Sequence, residues 1–372
     1  MKPIYYIHCC CLVAICFFLP AKTGAQSLSF SHLTTSNGLS DNNVRSMVVD
    51  KNGFLWIGTA EGLNLFDGYS VTSFHKEKYP AMASDDVIHL TCDSRNRIWL
   101  GTPDGISWLD ENRNFHRVVL NDSVSKFGSR TIMETKTFGD VLYTTLGQFY
   151  YDSTKMKWER LDWIPESLQY YKFMDAEPFD NDRIMYATFK GVFIVDYAAR
   201  QVIFEQLYTQ HPVSVCRLSE SVIAVGLLNG QVQVIDIKTK KVIREHNLTN
   251  KVNGKEINTS LSEVRLAANG DLLAATGFAG LVIIDKAGNI TRHTHDPIDD
   301  RSVAANNIYR VSGGSNGEVI VGTTNSGLSI ANIYKKQAGY TKVFKDDAGN
   351  LFDNYLTEIA EDKNNRLWIG GL

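Results

Sequence analysis

The chain has 372 residues, 44% hydrophobic and 11% aromatic, with 38 Lys and Arg against 41 Asp and Glu, for a formal net charge of −3. That apolar content can fill a packed core and speaks against disorder, and the near-neutral balance argues against nucleic-acid binding. Length alone would allow two or three domains, a prior that the internal repeats described below override.

The first element in chain order reads as an export signal spanning residues 1–25. Lys2 supplies the positive end, Ile4 to Pro20 is an apolar run broken by His8, and Thr23-Gly24-Ala25 offers small residues for cleavage before Gln26. An uncleaved anchor is the alternative. Cys16 follows Ile15 inside the apolar run, which does not fit a lipoprotein site. Four of the six cysteines (Cys9, Cys10, Cys11, Cys16) leave with the signal. Cys92 and Cys216 fall in non-adjacent repeats and are expected as buried free thiols on inner strands. No later stretch reaches the 18 apolar residues of a membrane span. The expected location is the periplasm.

After the signal comes Ser27 to Leu33, a strand without a repeat of its own, and then the first repeat. Val44 to Val49 is β-rich and reads as an innermost strand, and Asp50-Lys51-Asn52-Gly53 as a hairpin turn whose last position needs φ > 0. Phe54 to Gly58 is the second strand, Gly62 the pivot of the next turn, and a third strand ends at Asp67, with Phe74 marking a looser fourth. The pattern recurs. Aligned on the Thr that follows W-[IL]-G, copies fall at Thr59, Thr102, Thr145 and Thr188, then Leu227, Thr276, Thr323 and Gly371. Gly53, Asn96, Gly139, Gly270, Gly317 and Asn365 hold the first-turn column, with Asp182 and Ser221 as weaker fits. Trp56, Trp99 and Trp368 hold one column of the second strand, most simply as aromatic plugs between neighbouring repeats.

Self-similarity at this period, with short strands in each copy, predicts an all-β seven-bladed β-propeller over residues 26–335. A stack of blades must close or leave two bare edges, so Ser27 to Leu33 is expected to complete blade 7, whose other strands run from about Ile308 to Ile333. Tyr340 to Phe344 stands in the same relation to the eighth copy as Ser27 to Leu33 does to the first. Residues 336–372 are therefore predicted to be the first hairpin of a second, incomplete propeller, mobile or loosely docked because Trp368 has no following blade.

The phrase Leu33-Thr34-Thr35-Ser36-Asn37-Gly38-Leu39-Ser40, followed by the D-x-x-G-x-[IL]-W-I-G-T repeat, resembles the two-component regulator propeller family, the periplasmic sensor region of hybrid histidine kinases. The resemblance covers Ser27 to Leu372, strongest in repeats 1, 2, 7 and 8. Repeats 3 to 6 depart from it, with Tyr143-Thr144-Thr145 and Ala224-Val225-Gly226 in place of W-I-G-T. It implies a ligand sensor, often for oligosaccharides, whose second propeller, membrane helix, kinase and downstream signalling domains are not in this chain. A homodimer is left open.

Catalytic chemistry leaves few traces. G-x-S-x-G, phosphate-binding glycine loops and H-E-x-x-H are not found, the periodic aspartates read as turn caps, and no catalytic residue or cofactor is expected. His293-Thr294-His295-Asp296 is the one metal-like run and reads as a polar loop, so no metal is expected. For a ligand, aromatic platforms beside planar polar groups are wanted. Trp163, Tyr170 and Tyr171 lie outside the strand columns between repeats 3 and 4, where they either bind or cover the rim. Glu61, Asp104, Lys190 and Asn229 precede turn glycines on the same face and are candidate polar lining. Two rival readings remain: a periplasmic propeller enzyme acting on polysaccharides, which predicts buried charged residues clustered at the mouth of the central channel, and a protein-interaction scaffold.

Overall fold

The structure, a computed structural model, describes residues 28–120, 129–165, 168, 173–252, 255–257, 259–335, 356–361 and 367–371. The signal segment, Tyr170, Tyr171, Tyr340 to Phe344, Asp362 and Asn365 lie outside these residues.

Seven four-stranded antiparallel sheets are arranged as the blades of a ring. Their inner strands are Val44–Val49, His89–Cys92, Ser129–Thr135, Phe173–Pro178, Pro212–Arg217, Leu261–Leu266 and Ile308–Gly313. In blade 7 the order from the inside is Ile308–Gly313, Glu318–Thr323, Leu328–Asn332 and then Ser31–Leu33. Ser31 pairs with Ile330 and Leu33 with Leu328, so the N-terminal strand closes the ring as its position ahead of the first repeat predicts.

Why the repeated phrase makes a blade is visible in blade 1. Asp50 is buried at the mouth of the first hairpin, and its Oδ1 accepts from the backbone N–H groups of Asn52 and Phe54, each at 2.9 Å. Its Oδ2 accepts from Trp56 Nε1 at 2.9 Å. The six-residue spacing from Asp to Trp thus lets one carboxylate close the turn and pair the indole N–H of the seam plug, which would otherwise be buried unpaired. Asp93 and Trp99 repeat the arrangement, again at 2.9 Å.

The Thr of W-[IL]-G-T has an equally local task. Thr59 Oγ1 donates to Gly62 O at 3.0 Å and accepts from Glu61 N at 3.3 Å, bracing the second turn. Thr102, Thr188, Thr276 and Thr323 also donate to the carbonyl of the glycine pivot. In blade 3 the residue that does this is Thr144, bonded to Gly147 O at 2.9 Å, so the expected column at Thr145 is one residue out of register. Gly147, at φ 128°, is the pivot that the alignment on Thr145 hid.

The first-turn column is as expected at Gly53, Asn96, Gly139, Gly270 and Gly317, all with positive φ. Among the described residues the non-glycines with positive φ are Asn96, Arg113, Met156, Arg200 and Lys240. The turns at Asp182 and Ser221 therefore close without a left-handed residue.

Each seam between neighbouring blades holds one apolar cluster. Trp56, Leu65 and Phe74 of blade 1 meet Leu90, Ile98 and Leu100 of blade 2. Trp99 and Ile106 meet Ile132 and Leu142 in the next seam. At the junction of ends, Leu33, Leu39, Val44 and Ile57 pack on Ile320 and Leu328. Between blades 5 and 6 the chain carries an unforeseen hairpin, Asn250–Val252 with Lys255–Ile257. It accounts for the longer step in the repeat there. Cys216 is buried and Cys92 only half-buried, and both are free thiols. The Cys92 expectation fails in burial because its strand borders the open channel. Beyond the ring, Leu356–Glu361 pairs with Leu367–Gly371.

Candidate functional site

In each blade the inner strand is a sheet edge, and its N–H groups that face away from the second strand need partners. In blades 1, 4, 5 and 6 the chain supplies them from one column of side chains. Ser46 Oγ accepts from Leu90 N of the next blade at 2.9 Å. Asp175 Oδ2 accepts from Val215 N at 3.0 Å, Ser214 Oγ from Val264 N at 3.0 Å, and Glu263 Oε2 from Val311 N at 2.7 Å. Arg310, which holds the same column in blade 7, cannot accept, and its Nε instead donates to Arg45 O at 2.8 Å. The result is a belt of cross-blade bonds along the channel from blade 4 through blades 5, 6 and 7 to blades 1 and 2. Its structural mark is a register shift just before the polar residue in each of these five inner strands.

On this belt sits a charged cluster. Arg265 donates through Nη1 to Asp175 Oδ2 at 2.9 Å and through Nη2 to Asp175 Oδ1 at 3.1 Å, and its Nη2 forms ion pairs with Glu177 Oε1 and Glu263 Oε1, each at 2.8 Å. One guanidinium thereby joins blades 4 and 6 across blade 5, whose Ser214 hydroxyl also accepts from it at 3.0 Å. Burial raises the Asp175 carboxyl, but Arg265 and the bonds from Val215 and Ser214 outweigh it and hold it below its usual range. Glu177 has no such backbone bonds. Burial pushes it up to about 7, against the pull of Arg265 and with the neighbouring charges of Asp175 and Glu263 adding to the rise. Burial also pushes the Cys216 thiol beside them up to about 12, so it is no nucleophile at neutral pH. The cluster faces a cavity of about 1120 Å³ that follows the inner strands toward the first-turn face. Most of this buried charge is engaged in holding blades 4, 5 and 6 together.

The sequence-predicted ligand residues lie elsewhere. Lys190 and Asn229 occupy the second turns of blades 4 and 5, on the opposite face. Lys190 O accepts from Tyr208 N at 2.9 Å, and Asn229 Nδ2 donates to Gln231 Oε1 at 2.9 Å. Between them Phe189 meets the His211 ring edge-on at 5.4 Å, and His211 O accepts from Leu228 N at 2.9 Å. Gln231 and Gln233 hold Glu245 at 3.4 and 2.9 Å. Aromatic and planar polar groups thus meet at the rim between blades 4 and 5, with Phe189 37% exposed. Glu61 and Asp104 sit on the matching turns of blades 1 and 2. Trp163 is half-buried in the seam of blades 3 and 4, its ring 6.5 Å from Phe138 and 5.5 Å from Tyr197. The metal-like run is accounted for by packing: His295 Nδ1 bonds Val303 O at 2.9 Å, and His293 lies edge-on to Phe30. Among the described residues no helix is long and apolar enough to cross a membrane.

A closed ring of seven four-stranded blades, tied at its centre by side chains, defines the class of β-propellers. Residues 38–61 and 343–372 match the family model described as two component regulator propeller. The repeats at the two ends of this chain are therefore repeats of that family. Among solved structures the chain is similar to the extracellular domain of a putative hybrid two component system from B. thetaiotaomicron. Identity is 17% at a TM-score of 0.64, over 92% of this chain and 52% of that one. The extracellular domain of a putative one component system from the same organism gives 18% and 0.66, over 92% and 51%. Virginiamycin B lyase from Staphylococcus aureus gives 11% and 0.60, over 82% and 99%. At such identities the likeness shows the fold alone. The chain spans about half the length of the two sensor domains. No curated protein sequence matches it.

Proposed function

We propose that the chain is the ligand-sensing part of a hybrid two-component sensor, exported to the periplasm by its N-terminal segment and acting without catalysis of its own. The observation that carries this is the match of its first and last repeats to the two component regulator propeller family. The likeness in fold to the extracellular domains of a putative hybrid two component system and a putative one component system supports the location. Oligosaccharides are the proposed ligand class, received at the rim of blades 4 and 5. There Phe189 and His211 offer ring surfaces, and Lys190, Asn229, Gln231 and Glu245 offer planar or charged polar groups for hydroxyls. Binding would reposition a rigid ring relative to the second propeller and the signalling domains of a longer protein. Calorimetry of the purified chain against an oligosaccharide panel tests this. Saturable heat with intact sugar recovered is the expected result. Cleavage of any panel member would overturn the sensor reading in favour of a propeller enzyme.

A further inference from the structure

Two neighbouring seams built to the same plan differ in how well they are filled. In blades 4 and 5 the registers match: Ile194 pairs with Phe204 and Val234 with Arg244, each just before the same register shift. Phe179 and Leu218 are likewise equivalent. Each follows its inner strand and donates its N–H across the first turn, to Arg183 O at 2.7 Å and Val222 O at 2.9 Å. In the seam of blades 4 and 5 both phenylalanines are buried in one apolar cluster. In the seam of blades 5 and 6 their places fall to Leu218 and Arg244. Arg244 is exposed, with its Nη1 donating to Lys286 O of blade 6 at 3.0 Å. Two phenyl rings are thus absent from this seam, and a cavity of about 360 Å³ opens there, lined by both of the residues that stand in their places. That volume falls within the range of small-ligand pockets.

The cavity has an apolar floor and a cationic mouth. Leu266, Leu272 and Ile284 line it with Leu218 and Val234. Arg244 and Lys286 bring two positive charges, and neither is ion-paired among the described residues. The Lys286 side chain lies over Gly270 of the first turn, where a Cβ would collide with it. Asp285 is the one acid in the lining, and both its oxygens are taken within its own turn. Oδ1 accepts from Asn289 N at 2.8 Å and Oδ2 from Asn289 Nδ2 at 2.7 Å. His246 stands two positions from Arg244 on the same strand, is 8% exposed, and makes no hydrogen bond among the described residues. Burial, and then the Arg244 charge, hold it below its ordinary pKa, so at neutral pH its ring is uncharged and keeps one N–H to donate.

A seam that lacks two aromatic rings, and offers two unpaired cations beside an unpartnered imidazole, fits an anion carried on an aromatic body. We propose that the seam of blades 5 and 6 is a binding site for a small aromatic carboxylate, its ring in the place that Phe204 holds in the neighbouring seam and its carboxylate met by Arg244 and Lys286. The neighbouring seam supplies the precedent, since Lys240 Nζ there lies 6.0 Å from the centre of the Phe204 ring. The site opens on the first-turn face, opposite to the blade 4–5 rim, and does not depend on the oligosaccharide reading.

Calorimetry of the whole chain with phenylacetate tests the site. Saturable binding is expected, and benzyl alcohol, which keeps the ring and lacks the charge, is expected to bind at least about tenfold more weakly. Leu218→Phe restores one missing ring and leaves both cations, and is expected to lose at least about tenfold in phenylacetate affinity. Arg244→Phe restores the other ring from an exposed strand position, where folding is not at risk, and is expected to abolish binding. Lys286→Gln keeps the cavity and is expected to weaken phenylacetate while leaving benzyl alcohol unchanged. Phenylacetate bound by Arg244→Phe as tightly as by the unaltered chain would overturn the proposal. So would equal affinity for the acid and the alcohol, or the absence of saturable heat in the unaltered chain.

Discussion

The seam between blades 2 and 3 and the seam between blades 3 and 4 are both plugged by aromatic side chains, yet they pair the polar atoms of those plugs by different routes. In the first, Trp99 is bonded by Asp93 six residues earlier in its own hairpin. In the second, Tyr143 and Tyr186 bond each other, and each meets Tyr197 at 2.6 Å. Tyr197 in turn donates to Gln148 Oε1 at 2.6 Å, and all three rings are buried. Burial raises the Tyr143 and Tyr186 hydroxyls well above their ordinary range, so the cluster stays neutral at any physiological pH. One seam is built from a motif within a blade, the other from contacts between blades. The drifted repeats have not lost the plug. They have moved its partner out of the local sequence.

The largest expected effect lies on the local side of this comparison. Asp93 accepts from Arg95 N, Arg97 N and Trp99 Nε1, each at 2.9 Å, and from Arg97 Nε at 2.5 Å. Asp93→Ala leaves those donors unpartnered, and a loss of about 3 kcal/mol in urea unfolding is expected. Tyr197→Phe removes a hydroxyl that serves two tyrosines and Gln148, and about 1–2 kcal/mol is expected. The two losses should add to within about 0.5 kcal/mol, since the seams share no partner, whereas Tyr197→Phe and Tyr143→Phe should not add. Additivity of the two tyrosine changes would show that the blade 3–4 cluster is not one network.

A third effect concerns pH. The Glu177 carboxyl has a folded-state value near 7, above its unfolded value. Its contribution is therefore fully present at acid pH and is lost as pH rises through 7. Melting temperature should fall between pH 5 and 8 in the unaltered chain and fall less in Glu177→Gln. An equal slope in both would break the assignment of this pH dependence to the raised Glu177 carboxyl. The smallest effect belongs to the rim, where Lys190→Ala and Asn229→Ala should shift stability by no more than about 0.5 kcal/mol while weakening oligosaccharide binding.

The same comparison shows what the sequence could reveal. Asp50 to Trp56 and Thr59 to Gly62 are bonded within one hairpin, so their spacing recurs and blades 1 and 2 are legible at sight. A constant step puts the blade 3 column at Thr145, one residue past Thr144, and only the bond to Gly147 O discriminates them. The ring closure was legible because a strand without a repeat has one place to go. The channel cluster was not. Arg265 is 90 positions from Asp175, and a residue that serves a cross-blade bond carries no spacing rule. The rim was half legible: Lys190 and Asn229 follow from the turn column, but Gln231 and Glu245 come from strands where polar residues look like ordinary solvent-facing positions.

The closing strand also sets an order of events. Ser31 finds its sheet only when Ile330 is in place, a separation of 299 residues. During folding the strand Ser31–Leu33 must therefore wait, its edge bare, while six blades form on mainly local contacts. Until then blade 7 presents an open strand to any extended segment nearby, which makes this step the one most exposed to mispairing and the natural place for a chaperone to act. Lengthening the connection that follows Leu33 should slow the last step of refolding far more than it lowers final stability, because the cost of closing so long a loop grows only with the logarithm of its length.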